Sequence, residues 1–239
     1  MAISEVLAVI RNIVVDGYKN MFFSNNNFSK YARYTFIVAG ICVSGLSGYY
    51  VYSLYISNRE SAAQKVFSEC IVDFENAKKG IGSWDNVQVA FQMGHKQNSG
   101  SMLAPYFKAF EADSLYEQGK NKEAIETLAN ALEDMKSDLD MFSLYKTKLA
   151  LMKFDSKREN LKAEGLKELE SIAGLGDKSD KATSGRGVAL YYLGSYFLGQ
   201  NNIEKAKEAW EKLVALEVEK EGPVSGYIGL AKEKLNSLN

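Results

Sequence analysis

Residues 189–216 read ALYYLGSYFLGQNNIEKAKEAWEKLVAL. Apolar residues recur here at three- and four-residue steps on both sides of the polar connector GQNN, the pattern of two amphipathic helices joined by a turn. Leu190, Leu193, Gly194 and Phe197 share a face of the first helix; Ala206, Trp210 and Leu213 share one of the second. Gly194 and Ala206 are small, so the two helices are expected to cross closely there, with the large residues filling the space around them. Working outward, helix-sized stripes alternate with short polar connectors at about 102–118, 121–135, 139–153, 159–174, 185–199, 202–217 and 223–238. Proline occurs only at 105 and 223, as suits a mainly helical chain. The expected fold is all-α, an α-solenoid of paired antiparallel helices.

The spacings are those of the tetratricopeptide signature, large-x-x-Leu-Gly-x-x-aromatic followed by Ala-x-x-x-aromatic-x-x-small. FEADSLYEQGKNKEAIETLANAL at 110–132 is similar, with Ala112, Leu115, Gly119, Ala124, Leu128 and Ala131 in the corresponding places. It departs from the signature at Lys108 and Glu111, where large apolar residues are expected. Residues 144–172 keep the stripe without the signature glycine, and Leu144, Leu149, Met152, Leu166, Leu169 and Ile172 are its expected core. The last helix, from Pro223 to Leu238, would cap the array, with Lys232, Glu233 and Lys234 facing water. Tetratricopeptide arrays bind peptides on a concave side lined by first helices. The resemblance therefore implies a groove containing Asp113, Tyr116, Tyr191, Ser195 and Leu198.

Upstream, Tyr34 to Asn58 carries no charge over 25 residues. Roughly 20 apolar helical residues cross a bilayer core, so this run reads as a transmembrane helix. A signal peptide is disfavoured: the run is too long, starts too late and has no Ala-x-Ala after it. Tyr31, Tyr34 and Phe36 mark one interface, and Tyr49, Tyr50, Tyr52 and Tyr55 the other. Gly40, Ser44 and Gly48 fall on one face at four-residue intervals, where another helix could approach closely. Lys19, Lys30 and Arg33 precede the run and Arg59 and Lys65 follow it, a slight bias toward a cytoplasmic N-terminus. Residues 2–23 read either as an amphipathic helix on the inner membrane face or as a poorly ordered tail. SNNNFSK at 24–30 reads as a connector. The organisation is 1–33, cytoplasmic; 34–56, transmembrane; 57–101, a membrane-proximal helix and connector; and 102–239, the repeat domain with its cap. In the third segment Ala62, Val66, Phe67, Cys70, Ile71 and Phe74 form one stripe, Gly80-Ile81-Gly82-Ser83 ends it, and 86–94 reads as a short helix.

Residues 57–239 hold 25 Lys and Arg against 28 Asp and Glu, with no basic patch, which argues against a nucleic-acid partner. Of the two cysteines, Cys42 lies in the apolar run and Cys70 outside it, so no disulfide forms within the soluble domain. His95, the single histidine, falls in FQMGHKQNSG, read as an exposed loop, and has neither triad partners nor zinc-ligand spacing around it. GLGDKSDK at 174–181 lacks the Gly-Lys-Ser/Thr ending of a phosphate loop and reads as a flexible connector. The charged runs KELE, EKAKEAWEK and EVEKEG read as solvated helix faces. No catalytic, cofactor-binding or metal-binding residues are expected.

Over about residues 30–239 the chain resembles the bacterial single-span tetratricopeptide family of the ancillary Sec translocon subunit. The resemblance rests on the single span; on GLSGYYVYSLYISNRESAAQKVF at 45–67; on NSGSMLAPYFKAFEADSLYEQGK at 98–120; and on the late Leu-Gly-x-x-aromatic repeat with its final helix. It implies an inner-membrane protein with an exported, periplasmic C-terminal domain. The partners implied are translocon subunits beside the helix, and chaperones or exported polypeptides at the groove, with the lipid bilayer around the span. Alternatives are a structural adaptor of an envelope complex and an import receptor on an organelle surface; an enzyme is the weakest.

Overall fold

A computed structural model describes residues 11–12, 15–16, 28–135, 138–174, 184–216 and 224–238. Among these, every regular element is α-helical. Segment 2–23, read either as an amphipathic helix or as a tail, lies outside the described residues, apart from four that are helical and exposed. So do most of the connector 24–30, nearly all of the 174–181 loop and the acidic run 217–222.

The described helices are α1 (Phe28–Lys78), α2 (Trp84–Gln97), α3 (Ala104–Glu117), α4 (Asn121–Asp134), α5 (Leu139–Phe154), α6 (Glu159–Ala173), α7 (Ser184–Gly199), α8 (Ile203–Ala215) and α9 (Ser225–Ser237). The chain divides into two compact units, Met1–Arg59 and Glu60–Asn239. In the first unit, α1 carries one stretch long and apolar enough to cross a membrane. Ile37, Val38, Ile41, Leu46, Val51 and Leu54 are all exposed, so the helix presents apolar surface on every side. Within the first unit this apolar surface is not packed on a core, and the stretch is of membrane-spanning length.

The second unit is an array of helix pairs around three successive clusters. At its start α1, α2 and α3 share an aromatic cluster: the ring of Phe67 lies 5.0 Å from Phe107 and 5.4 Å from Phe110, and Phe74 5.3 Å from Trp84. The expected α1 stripe is present except that Ala62 is exposed, while Ala63 and Ala77 are buried. The second cluster joins α3, α4 and α5 through Ala109, Ala112, Leu128, Met135 and Leu149. The third joins α5 to α9 around Leu169, Leu193, Trp210 and Ile228. Leu144 is not part of this core; it is half-buried, and Tyr145, Thr147 and Ala150 are the buried residues beside it.

His95 lies in α2, half-buried, rather than in an exposed loop. The helix runs on past Gly94 because that glycine serves packing, not chain reversal: a Cβ there would meet Phe107 Cε1 at 2.4 Å. The helix ends only at Asn98, whose Nδ2 donates to Gly94 O at 2.9 Å. Burial, with Lys108 nearby, holds His95 below its ordinary pKa, while Asp134 opposes this.

Two first helices end in the same way. After α3, Gly119 has φ 76°, Gly119 N donates to Tyr116 O and Lys120 N to Leu115 O. After α7, Asn201 has φ 57°, Asn201 N donates to Leu198 O and Asn202 N to Phe197 O. Both residues hold the left-handed conformation that closes a helix C-terminus. No atom lies within 4 Å of a Cβ at Gly119, so Gly119→Ala incurs only the backbone penalty. A loss of about 1 kcal/mol in urea-unfolding stability is expected. Asn201→Gly should lose nothing.

Candidate functional site

Spacing along α3, α5 and α7 places one face of each toward a common groove. On α5 these are Leu144, Tyr145, Lys148, Leu151 and Asp155, at helical three- and four-residue steps. On α7 they are Ser184, Val188 and Tyr192, and on α3 Asp113, Tyr116 and Glu117. The groove has two adjoining hollows. One, of about 460 Å³, is walled by Tyr145, Val188, Tyr192, Val224 and Tyr227. The other, of about 550 Å³, is walled by Phe74, Lys78, Asp113, Tyr116, Glu117 and Asp155. Lys148, Leu151 and Tyr192 border both.

The charged groups are unevenly satisfied. Asp113 is only 8% exposed. Lys148 Nζ donates to its Oδ2, and that ammonium also lies 5.6 Å from the Tyr145 ring. Asp113 Oδ1 is buried without a hydrogen-bond partner. Burial raises the Asp113 carboxyl above its ordinary pKa, Lys148 pulls it back, and Glu117 adds to the rise. Tyr116 Oη donates to Asp155 Oδ2, and burial together with that carboxylate pushes the phenol up. Burial does the same to Tyr145, with Asp113 contributing.

A carboxyl whose pKa is raised by folding holds its proton more readily in the folded chain. Its penalty is therefore present at neutral pH and vanishes as pH falls through the folded value toward the ordinary one. Removing Lys148 should expose that penalty: Lys148→Met is expected to lower stability at pH 7 by about 1–3 kcal/mol, an uncompensated buried carboxylate being the cause. The deficit should shrink as pH is lowered to 4. Asp113→Asn should be neutral or stabilising at pH 7, since the Lys148 side chain is 40% exposed and can be solvated. Thermal unfolding against pH checks both.

Asp113 and Tyr116, expected in a groove from the sequence, line the second hollow. Tyr191, Ser195 and Leu198 line neither hollow. Tyr191 O accepts from Trp210 Nε1 at 3.2 Å, Ser195 Oγ donates to Tyr191 O, and Leu198 packs against the third cluster. The exposed large side chain of α7 is Tyr192, at 41%. Its four-residue steps to Val188 and Ser184 are the sequence signal that would have singled it out.

The pairing residues meet at close range. Leu190, Leu193 and Trp210 have no exposed surface, nor has Ala206, and Phe197 has little. A Cβ at Gly194 would lie 2.4 Å from Trp210 Nε1. On α3, Lys108 reaches Asp134 of α4 at 3.5 Å, an ion pair where the repeat signature has apolar contact.

Residues 26–239 match the family described as a tetratricopeptide repeat-like domain. The chain belongs to this family. No curated protein and no solved structure matches it. In a tetratricopeptide-like array, first helices of successive pairs form a concave binding surface for other proteins. Here α3, α5 and α7 are the first helices of successive pairs. Gly40, Ser44 and Gly48 of α1 are exposed, and no atom lies within 4 Å of a Cβ built at either glycine. Among the described residues no group of three or more His, Cys, Asp or Glu is placed to hold a metal ion.

Proposed function

We propose that this chain is a non-enzymatic, membrane-anchored protein-binding module of the kind formed by the ancillary subunit of the Sec translocon. In this reading it sits in a bacterial inner membrane with its N-terminus in the cytoplasm and the repeat unit in the periplasm. The Gly40, Ser44 and Gly48 face docks beside translocon subunits. The groove, in which Asp113 and Tyr116 lie and whose tyrosine wall is backed on α7 by Tyr191, with Ser195 and Leu198 further along the same helix, receives exported polypeptides or chaperones. The observation that carries the reading is the joining, in one chain, of an apolar helix exposed on all sides to a repeat unit with a tyrosine-rich open groove.

The test is affinity purification of the full-length chain in mild detergent, with partners identified by mass spectrometry. Wild type should recover translocon subunits, and a Gly40→Leu/Gly48→Leu variant should lose them while keeping soluble partners. If both forms recover one soluble partner in fixed stoichiometry and no translocon subunit, the chain is instead an adaptor of an envelope complex. Topology is read separately with Lys157→Cys, an exposed position, and a membrane-impermeant maleimide. Cys70 cannot serve, because burial, with Asp73 and Glu69 nearby, pushes its thiol up to about 11.

A further inference from the structure

The two hollows differ in chemistry, and the difference specifies an occupant. The first is framed by three tyrosines, Tyr145, Tyr192 and Tyr227, around Val188 and Val224, and among the described residues its one charged lining residue is Lys148. The rings of Tyr192 and Tyr227 lie 6.3 Å apart. Rigid aromatic walls over an aliphatic floor hold a bulky apolar side chain at little entropic cost.

The second hollow carries three carboxylates, Asp113, Glu117 and Asp155, against two ammonium groups, Lys78 and Lys148. Both ammonium groups are engaged: Lys148 with Asp113, and Lys78 with Glu75 at 3.7 Å and over the Phe74 ring at 5.7 Å. Among the described residues Glu117 and Asp155 have no cationic partner, the Asp155 contact being the neutral Tyr116 hydroxyl. Both are exposed at the groove surface. Glu117 adds to the rise that burial gives the Asp113 and Tyr116 pKa values. This hollow therefore has unspent negative potential at its mouth, and a cation is the complementary ligand.

Resting on the protein-binding reading above, we propose that the groove selects protein segments in which a bulky apolar side chain is followed or preceded, a few residues away, by lysine or arginine. The apolar side chain enters the tyrosine hollow. The cationic one crosses the wall formed by Lys148, Leu151 and Tyr192 and pairs with Glu117 and Asp155. The groove floor from Leu144 to Asp155 rises about 16 Å along α5. An extended segment spans that in about five residues, which sets the separation.

The test uses the full-length chain in a neutral maltoside micelle and fluorescein-labelled 12-residue peptides in a Gly-Ser background. One peptide carries Phe-Leu and, four residues on, Arg-Lys; one replaces Arg-Lys by Glu-Glu; one replaces Phe-Leu by Ser-Ser; and each is made in both orders. The Phe-Leu/Arg-Lys peptide should bind best in one of its orders, with either replacement weakening binding about tenfold. Glu117→Lys/Asp155→Asn should weaken that peptide by a similar factor and strengthen the Glu-Glu one. Tyr227→Ala should weaken both without altering the charge preference.

Binding that Tyr227→Ala weakens but that ignores peptide charge overturns this inference and leaves the protein-binding groove standing. Binding of no peptide, together with soluble partners recovered equally by wild type and Tyr227→Ala, removes both.

Discussion

Replacing Trp210 with alanine is expected to destabilise the repeat unit by about 3–5 kcal/mol, the largest single-residue loss foreseen in this chain. Trp210 has no exposed surface and is among the largest fully buried side chains. It stands at the crossing of α7 and α8, over Gly194, and joins the cluster that binds α5, α6 and α9 into the same core. Truncation to Ala removes the ring, opens a cavity against atoms that Gly194 cannot supply, and deprives Tyr191 O of its Nε1–H donor. Chemical denaturation of the full-length chain measures it, and roughly 10 °C of thermal midpoint should go with it. A loss under about 1 kcal/mol would mean that the third cluster is not organised around this ring.

Adding one carbon at Gly165 should be nearly as damaging, about 3 kcal/mol for Gly165→Ala, at the upper end of the overpacking range. A Cβ there would stand 2.5 Å from both Ala150 O and Phe154 N. Those are backbone atoms of α5, so relief requires moving the helix, not turning a side chain. Lys153 ties the same two helices together through Glu164 at 2.8 Å and Glu168 at 2.7 Å, which resists that movement. Gly199→Ala is the control: a Cβ there meets nothing within 4 Å, and replacement should be neutral. Urea unfolding of the two variants beside wild type gives the comparison.

Gly165 also marks where reading the chain as a string fell short. The pair at 144–172 lacks the signature glycine on its first helix, and its stripe is legible only through its large residues. The folded chain puts the small residue on the second helix instead, facing Ala150 of the first. Close approach needs one small partner at the crossing, and either helix can supply it. Gly94 looks like a helix end in the sequence for a similar reason: glycine signals both chain reversal and close packing, and only the neighbour, Phe107, distinguishes them. At Gly194 and Ala206 the signature was strong enough that a single pair of helices predicted its own contact.

The groove was half legible. Asp113 and Tyr116 stand in it, while on α7 Tyr191 and Leu198 pack against the third core cluster, the Tyr191 ring lying 5.3 Å from Tyr227, and Ser195 Oγ donates to Tyr191 O. One residue along an α-helix is about 100° of rotation, so a choice between Tyr191 and Tyr192 is a choice between facing the next helix and facing solvent. Composition cannot make that choice in a segment as uniformly apolar as ALYYLGSYFLG.

The amino-acid order alone determined the helical class, the pairing of helices, the connector positions and one uncharged run of membrane-spanning length, because each depends on periodicity or on a local excess of one residue type. Tertiary structure alone decided which face of α7 meets the groove, that Asp113 is buried with Lys148 from two helices away, and that Glu117 and Asp155 have no cationic partner among the described residues. Those outcomes depend on the rotation of one helix against another, which is set by the few small residues at each crossing and by the rings packed over them.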